Sequence, residues 1–419
     1  MRRRRPIHRI AQIFAVLANP ELRALWLADW ISDVGNFITF IALAVYVHQL
    51  SGTVTAVGLA IALRSIPWFT IGPFAGVVAD RMDRRAVIIW CNLIRAALVA
   101  LLPFTHAVWQ AYALSLASSV FGPVHASARS ALRAQVATNE RLVPALAVSE
   151  TTHQVLHTVG PAIGGLAVLL LGARSAFFLD AASFVVAAGF QATVASRGRP
   201  PRRPLTPLHD FAEGLSSLFR TPAVRAYLLL TAAVALGYGG ILALLLFYVR
   251  DQLGQPAGLY GVVLTFAGLG TVITSLLIAA RDRQHARTIW PMLSVAASAP
   301  FALVWFRPAL APLLVIALFS GLADAGSGLP MSATIAEAMP ADLLGRAYAV
   351  QDSAWALAEA AGAVGFAWLA GPGGLGAVGG ITTAALVSTF LAAAVLLAGG
   401  VKAIAAFERR RLEAIRAGR

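Results

Sequence analysis

The chain has 419 residues, 58% of them hydrophobic and only 12% charged, with a formal net charge of +14 at pH 7. That balance excludes a water-soluble globule of this length, because apolar runs exceed the roughly 18 residues that mark a bilayer-spanning helix. The basic excess invites nucleic-acid binding, but 28 of the 33 Lys and Arg residues fall at the termini or in alternate loops, leaving Arg174, Arg250 and Arg307 for the other loops. This is the positive-inside asymmetry of a membrane protein, and it predicts cytoplasmic termini and no nucleic-acid partner.

In chain order, residues 1–21 predict an amphipathic helix on the inner membrane surface, with Ile10, Ile13 and Leu17 on its apolar face. Residues 22–195 predict a first six-helix bundle, with spans at 24–48, 55–79, 86–104, 107–128, 145–171 and 175–195. Residues 196–221 form a cytoplasmic linker, Pro- and Arg-rich over 196–207, followed by a second amphipathic helix. A second bundle over 222–400 holds spans at 223–249, 257–280, 288–306, 309–332, 347–370 and 374–400, and residues 401–419 are a basic cytoplasmic tail. The segments are too long for barrel strands, so the fold class is an all-α membrane protein of twelve transmembrane helices in two pseudo-symmetric bundles.

The two bundles are copies. An offset of 202 residues carries Pro20 onto Pro222, Arg23 onto Arg225, Gly35 onto Gly237, Gly52 onto Gly254, Asp80-Arg81 onto Asp282-Arg283 and Gly160 onto Gly362. Such a duplication in an apolar chain points to a transporter whose halves rock about a central site.

Charges inside the spans are the candidate site residues, because a charge at mid-bilayer costs about 2.5 kcal/mol or more unless it is paired or faces water. Asp33 in the first span and Arg64 in the second both fall near mid-depth, and they read either as a substrate- or proton-responsive pair or as a structural salt bridge. In the loop after the second span, Gly76 permits close helix approach, Asp80 ends the apolar run, and Arg81, Arg84 and Arg85 can bind acids or helix C-termini. The third span carries Asn92 and Arg95, the latter needing a partner, and Cys91, a lone core thiol.

In the fifth span Glu150, His153, Gln154 and His157 share a helical face. They suit a proton path, since histidine exchanges protons near physiological pH, or they merely hydrogen-bond between helices. Gly160, Pro161, Gly164 and Gly165 follow as a tight-packing element. Asp180 falls close to the outer rim and Asp29 close to the inner one, as interfacial or paired residues. In the second bundle Asp324 sits in a glycine cluster, and Glu359 occupies the repeat position of His157, where an acid can attract a cation or carry a coupling proton.

Other chemistry has no support. The one lysine is Lys402 and no phosphate-cradling loop occurs, so no nucleotide hydrolysis, enzyme activity, cofactor or metal site is predicted.

The run Gly72-Pro73-Phe74-Ala75-Gly76-Val77-Val78-Ala79-Asp80-Arg81-Met82-Asp83-Arg84-Arg85 resembles the G-x-x-x-D-R-x-x-R-R cytoplasmic-loop signature of the major facilitator superfamily. With NPELRALWLADWISDVGNF before and within the first span, Gly122-Pro123 in the fourth, and Gly160-Pro161 with Gly164-Gly165 in the fifth, the chain resembles the bacterial drug-efflux branch that includes macrolide and enterobactin exporters. The resemblance implies the major facilitator fold and a monomer in the bacterial inner membrane. The function implied is proton-coupled efflux of a hydrophobic or amphiphilic molecule: a drug, a siderophore or a secreted metabolite. An importer or symporter on the same scaffold, or a non-transporting membrane sensor, are the alternatives. Departures from the branch are Asn92 in place of an acid and the lack of a mid-membrane arginine in the fourth span.

Overall fold

The computed structural model describes residues 15–72, 74–75, 82–137, 139–195, 216, 219–280, 292–338 and 344–416. Every regular element among them is helical. They are α1 (Pro20–Ser51), α2 (Val54–Thr70), α3 (Arg84–Leu101), α4 (Val108–Val136), α5 (Asn139–Ala192), α6 (Pro222–Phe247), α7 (Leu259–Ala280), α8 (Leu310–Ala338), α9 (Leu344–Ala370), α10 (Gly376–Val395) and α11 (Val401–Arg416). Seven stretches have the length and apolar composition to cross a membrane, and Val54–Thr70, Met292–Phe306 and Leu310–Asp324 are shorter apolar helices. Each of the twelve expected spans contains helix among the described residues. Of the expected amphipathic segment over 1–21, residues 1–14 lie outside them, Ala15–Ala18 form a short 3-10 turn and Pro20 begins α1; the linker over 196–207 and most of the second amphipathic segment also lie outside them.

Local sequence sets the helix ends. The Asn19 side chain accepts from the backbone N–H groups of Glu21 and Leu22 at 2.9 and 3.3 Å, and Pro20 fills the first turn, where its missing N–H costs nothing. At the other end of α1, Gly52 closes the helix with φ +66°, its N–H bonding the His48 carbonyl. Asp83 starts α3 in the same way, accepting from Arg85 and Ala86. Helix α5 joins the fifth and sixth expected spans and breaks at Gly172 (φ 78°, ψ 160°), giving a first limb over 139–171 and a second over 173–192.

The fourth span differs from expectation. Residues Arg129 to Arg141 were expected to form a loop, yet α4 continues to Val136 and α5 begins at Asn139. Both Arg129 and Arg133 are helical because Asp29 of α1 supplies their counter-charge, which removes the penalty that would push them into solvent.

Helices pack through small residues, since lipid offers no hydrophobic drive for helix association. A β-carbon on Gly160 would strike the Phe37 ring, and one on Gly164 the Phe37 carbonyl, so these glycines seat α5 on α1. Pro161 and Gly165 serve another neighbour. The Pro161 carbonyl lies against Gly261, and Gly165 and Gly258 lie backbone to backbone at the start of α7. Lower on the same seam, the Thr158 hydroxyl donates to the Gly268 carbonyl at 3.3 Å. Helices α2 and α9 form the second seam, with Gly58 against the Ala363 carbonyl. Taking the end where α1 begins as the near face, the Gly165–Gly258 and Gly58–Ala363 contacts lie toward the far face.

Candidate functional site

Two acids one helical turn apart on α1 meet two arginines one turn apart on α4. Asp29 pairs with Arg133 and with Arg129, the latter at 3.4 Å, while Asp33 stands 4.0 Å from Arg129. Asp29 and Arg133 are buried. The expected Asp33–Arg64 pair is therefore not formed. Helix rotation turns Asp33 toward α4, whereas Arg64 lies over the Phe40 ring at 5.3 Å. The acids whose charge reaches Arg64 are Asp180 and, from the other set of helices, Glu359.

Asp180 is also deeper than expected. It is 1% exposed and packs against Gly35, midway along α1, where it accepts from the Ser183 hydroxyl at 3.2 Å. Only a glycine at position 35 leaves room for it. Arg95 completes this layer: it donates to Asn36 Oδ1 at 2.5 Å and stacks over Phe184 at 4.2 Å. Asn92, where an acid was missed, donates instead to Gln191 at 3.0 Å, and Gln191 in turn contacts His125 at 3.3 Å.

His153 and His157 are exposed, with rings 4.4 Å apart, and His157 stands edge-on to Phe37 at 5.2 Å. At 100° per residue His157 falls between the face of α5 that meets α1 (Gly160, Gly164) and the face that meets α7 (Pro161, Gly165), while His153 falls on the side that meets α1. The exposure of His157 in that direction leaves room beside it between α1 and α7, which the Gly165–Gly258 contact closes at the far face. His153 lies within electrostatic range of Asp33. The side chains of Glu150 and Gln154 lie outside the described residues.

Across this space stands α9. Glu359 is half-buried, its backbone carbonyl against Gly239 of α6. Trp355, one turn away, packs on Tyr238 with ring centroids 6.1 Å apart. Asp324 of α8 is half-buried and its charge reaches Tyr238. Among the described residues no three His, Cys, Asp or Glu side chains gather as metal ligands would.

Of the loop residues, Gly76, Asp80 and Arg81 lie outside the described residues. Arg84 reaches the Ala131 carbonyl and Gln135 Oε1, each at 3.5 Å, and Arg85 donates to the Ala192 carbonyl. Both arginines thus hold the C-terminal ends of α4 and α5, where the helix dipole favours a cation. The residues that sequence reasoning missed are Arg129, Arg133, Asn36 and the depth of Asp180. A signal existed for the first two, since the four-residue spacing of Asp29 and Asp33 matches that of Arg129 and Arg133.

Residues 25–363 match the sequence model described as Major Facilitator Superfamily. The chain is 26% identical over 359 residues to YfiS of Bacillus subtilis (strain 168), described as an uncharacterized MFS-type transporter; the match covers 82% of this chain and 85% of that one. It is 27% identical to the multidrug efflux pump Tap of Mycolicibacterium fortuitum, covering 81% and 86%. To the enterobactin exporter EntS of Shigella flexneri it is 26% identical, covering 62% of each. The fold matches the crystal structure of a bacterial homolog to the human lysosomal transporter Spinster with a TM-score of 0.70, at 13% identity, covering 94% of this chain and 97% of that one.

Proposed function

The chain belongs to the Major Facilitator Superfamily, and from that membership we propose that it is a secondary exporter that moves a hydrophobic or amphiphilic small molecule against an inward flow of protons. The observation that carries the reading is the belt of half-buried charge around one open space: Asp33, Arg64 and Arg95 on the α1–α3 side, and Glu359 on α9 opposite. Charge is retained at membrane depth where it faces a translocation path or an ion relay.

In this reading residues 22–195 and 222–400 are two bodies that rock about the belt, giving alternating access. The near face is cytoplasmic, because the termini and the arginine-rich loops lie there. With the α5–α7 seam closed at the far face by glycine contacts, the cargo in this reading loads from the cytoplasm. Asp33 with His153 and His157 forms the proton route, and Glu359 is the titrating acid of the second body. The protein acts as a monomer in a bacterial inner membrane, and the efflux relatives favour drugs, siderophores or secreted metabolites as cargo. Arg84 and Arg85, with Gly76, Asp80 and Arg81, form the cytoplasmic gate that clasps when the site faces outward.

The test is accumulation of a compound panel in whole cells, with and without a protonophore, for the wild type and for Asp33→Asn, His157→Ala and Glu359→Gln. The expected result is a lower cell content of at least one compound, reversed by the protonophore, with at least one variant losing proton-driven flux while remaining folded. Higher content would make the protein an importer. Unchanged flux in all three variants would remove the proton route.

A further inference from the structure

We infer that the cargo carries an anionic group, and that Arg64 and Arg95 form its binding site. The inference rests on the transport reading and names the substrate class.

Four arginines stand in the layer between α1 and its neighbours, and they divide into two kinds. Arg129 and Arg133 are committed to Asp29 and Asp33. Arg64 and Arg95 are not. Arg64 Nη1 is buried with no hydrogen-bond partner among the described residues, and its guanidinium lies on Phe40. Arg95 has as its bonded partner a neutral amide, Asn36, and its Nε is buried without one. The charge of Asp180 reaches both guanidiniums, while Arg95 lies within reach of Arg64 and Asp33 as well.

A guanidinium taken out of water and left with unmade hydrogen bonds is costly, so two of them within electrostatic range of each other call for an acceptor. The planar fork of arginine matches the paired oxygens of a carboxylate, phosphate or sulfonate. The guanidinium carbons of Arg64 and Arg95 lie over the Phe40 and Phe184 rings, and the unbonded Arg64 Nη1 and Arg95 Nε are donors such oxygens can take. An apolar body would find its surface nearby. Trp68, one turn from Arg64, and Tyr238, on the opposite side of the space, are each 39% exposed. The charge of Glu359 acts on Arg64, and an arriving anion competes with it for that guanidinium.

The class of cargo is thus an apolar or aromatic molecule bearing one anionic oxygen group. An inside-negative potential drives such a molecule outward, by about fiftyfold per charge for each 100 mV.

Three naphthalene probes of equal bulk test the charge preference: 2-naphthoate, 2-naphthamide and 2-naphthylmethylammonium. Binding to the purified full chain in detergent is read by tryptophan quenching. Naphthoate is expected to bind at least tenfold more tightly than naphthamide. Arg64→Gln and Arg95→Gln should each weaken naphthoate by about tenfold to a hundredfold, the range of a charged hydrogen bond, while leaving naphthamide unchanged. Arg174→Gln, at an exposed arginine outside the site, should change neither. If a glutamine variant loses naphthamide too, Arg64→Lys and Arg95→Lys decide, since lysine keeps the charge without the fork: a reduced naphthoate preference supports the site, and an undiminished one in both removes it. Tightest binding of the ammonium probe, equal binding of naphthoate and naphthamide, or no binding of any probe up to its solubility overturns the inference.

Flux in proteoliposomes separates this from the export reading. Arginine-dependent naphthoate binding in a protein that moves none of the probes keeps the anion site and removes transport of this class. Proton-driven export of the ammonium probe, indifferent to both arginines, does the reverse.

Discussion

His48 at the end of α1 and Asp251 just beyond α6 face each other at 3.7 Å across the far face, with the His48 ring edge-on to Phe247 at 4.4 Å. His48 occupies the repeat position of Arg250, so equivalent points of the two copies meet there. The imidazole is buried and the carboxylate 45% exposed, so solvent screening limits the contact to about 1 kcal/mol. Asp251→Asn should therefore raise far-side maleimide labelling of a cysteine at position 50, in a Cys91→Ser background, by no more than about fivefold. The rise should be larger at acid than at neutral pH, because only the protonated ring forms an ion pair with Asp251. No rise at either pH would show that the pair does not help to close this face.

Adding bulk to the α5–α7 seam acts differently, because backbone cannot yield. Gly165→Leu places its side chain against the Gly258 carbonyl and the Gly261 backbone. Overpacking of this kind costs about 1–3 kcal/mol, paid only when the far face is shut. The expected outcome is a population shifted toward far-face opening by roughly tenfold, read as a longer spin-label distance between α5 and α7. An unchanged distance distribution would mean that the seam does not control access.

Asp29 and Asp33 lie one turn apart but should behave as opposites. Removing Asp29 strands the buried Arg133 guanidinium and leaves Arg129 with Asp33 at 4.0 Å, which costs about 3–5 kcal/mol, so Asp29→Ala should lose most of its monodisperse yield in size-exclusion chromatography, with partial rescue by Asp29→Glu. Asp33→Asn leaves Arg129 its closer partner and should elute as the wild type does. Equal losses would place both acids in one structural network.

The tail helix α11 is held by one ion-pairing residue and by an apolar face. Arg411 bonds Glu337 of α8 at 2.9 Å and Glu408 at 2.8 Å, while Ile404 is buried in a cluster with Val224 and Tyr227 of α6. Arg411→Ala removes a partly exposed network worth about 1 kcal/mol. Limited trypsin digestion should then cut at Arg409 or Arg410 several times faster, with transport unchanged. Unaltered digestion would assign the hold on α11 to its apolar face.

Much of this architecture was legible in the residues themselves. Apolar run length marks the helices, and Gly172, between the expected spans at 171 and 175, marks the break in α5. What pairs with what was not legible, because run length gives depth but not rotation. Asp33 and Arg64 share a depth and still turn apart, toward Arg129 and Phe40. Arg129 and Arg133 read as loop residues while Asp29, their reason for being helical, sits a hundred residues away. The depth of Asp180 depends on a missing side chain at Gly35, which only the packed structure reveals.

The break at Gly172 joins the two limbs of α5 through a single residue. One limb carries the glycine contact with α7 and the other carries Asp180. A joint that short has no slack, so a shift of the first limb along α7 is passed to the second as a lever passes force. The mechanical link between shutting one face and repositioning a carboxylate beside Arg64 and Arg95 is then covalent, and lengthening it by two or three flexible residues should uncouple the movements while leaving both limbs intact.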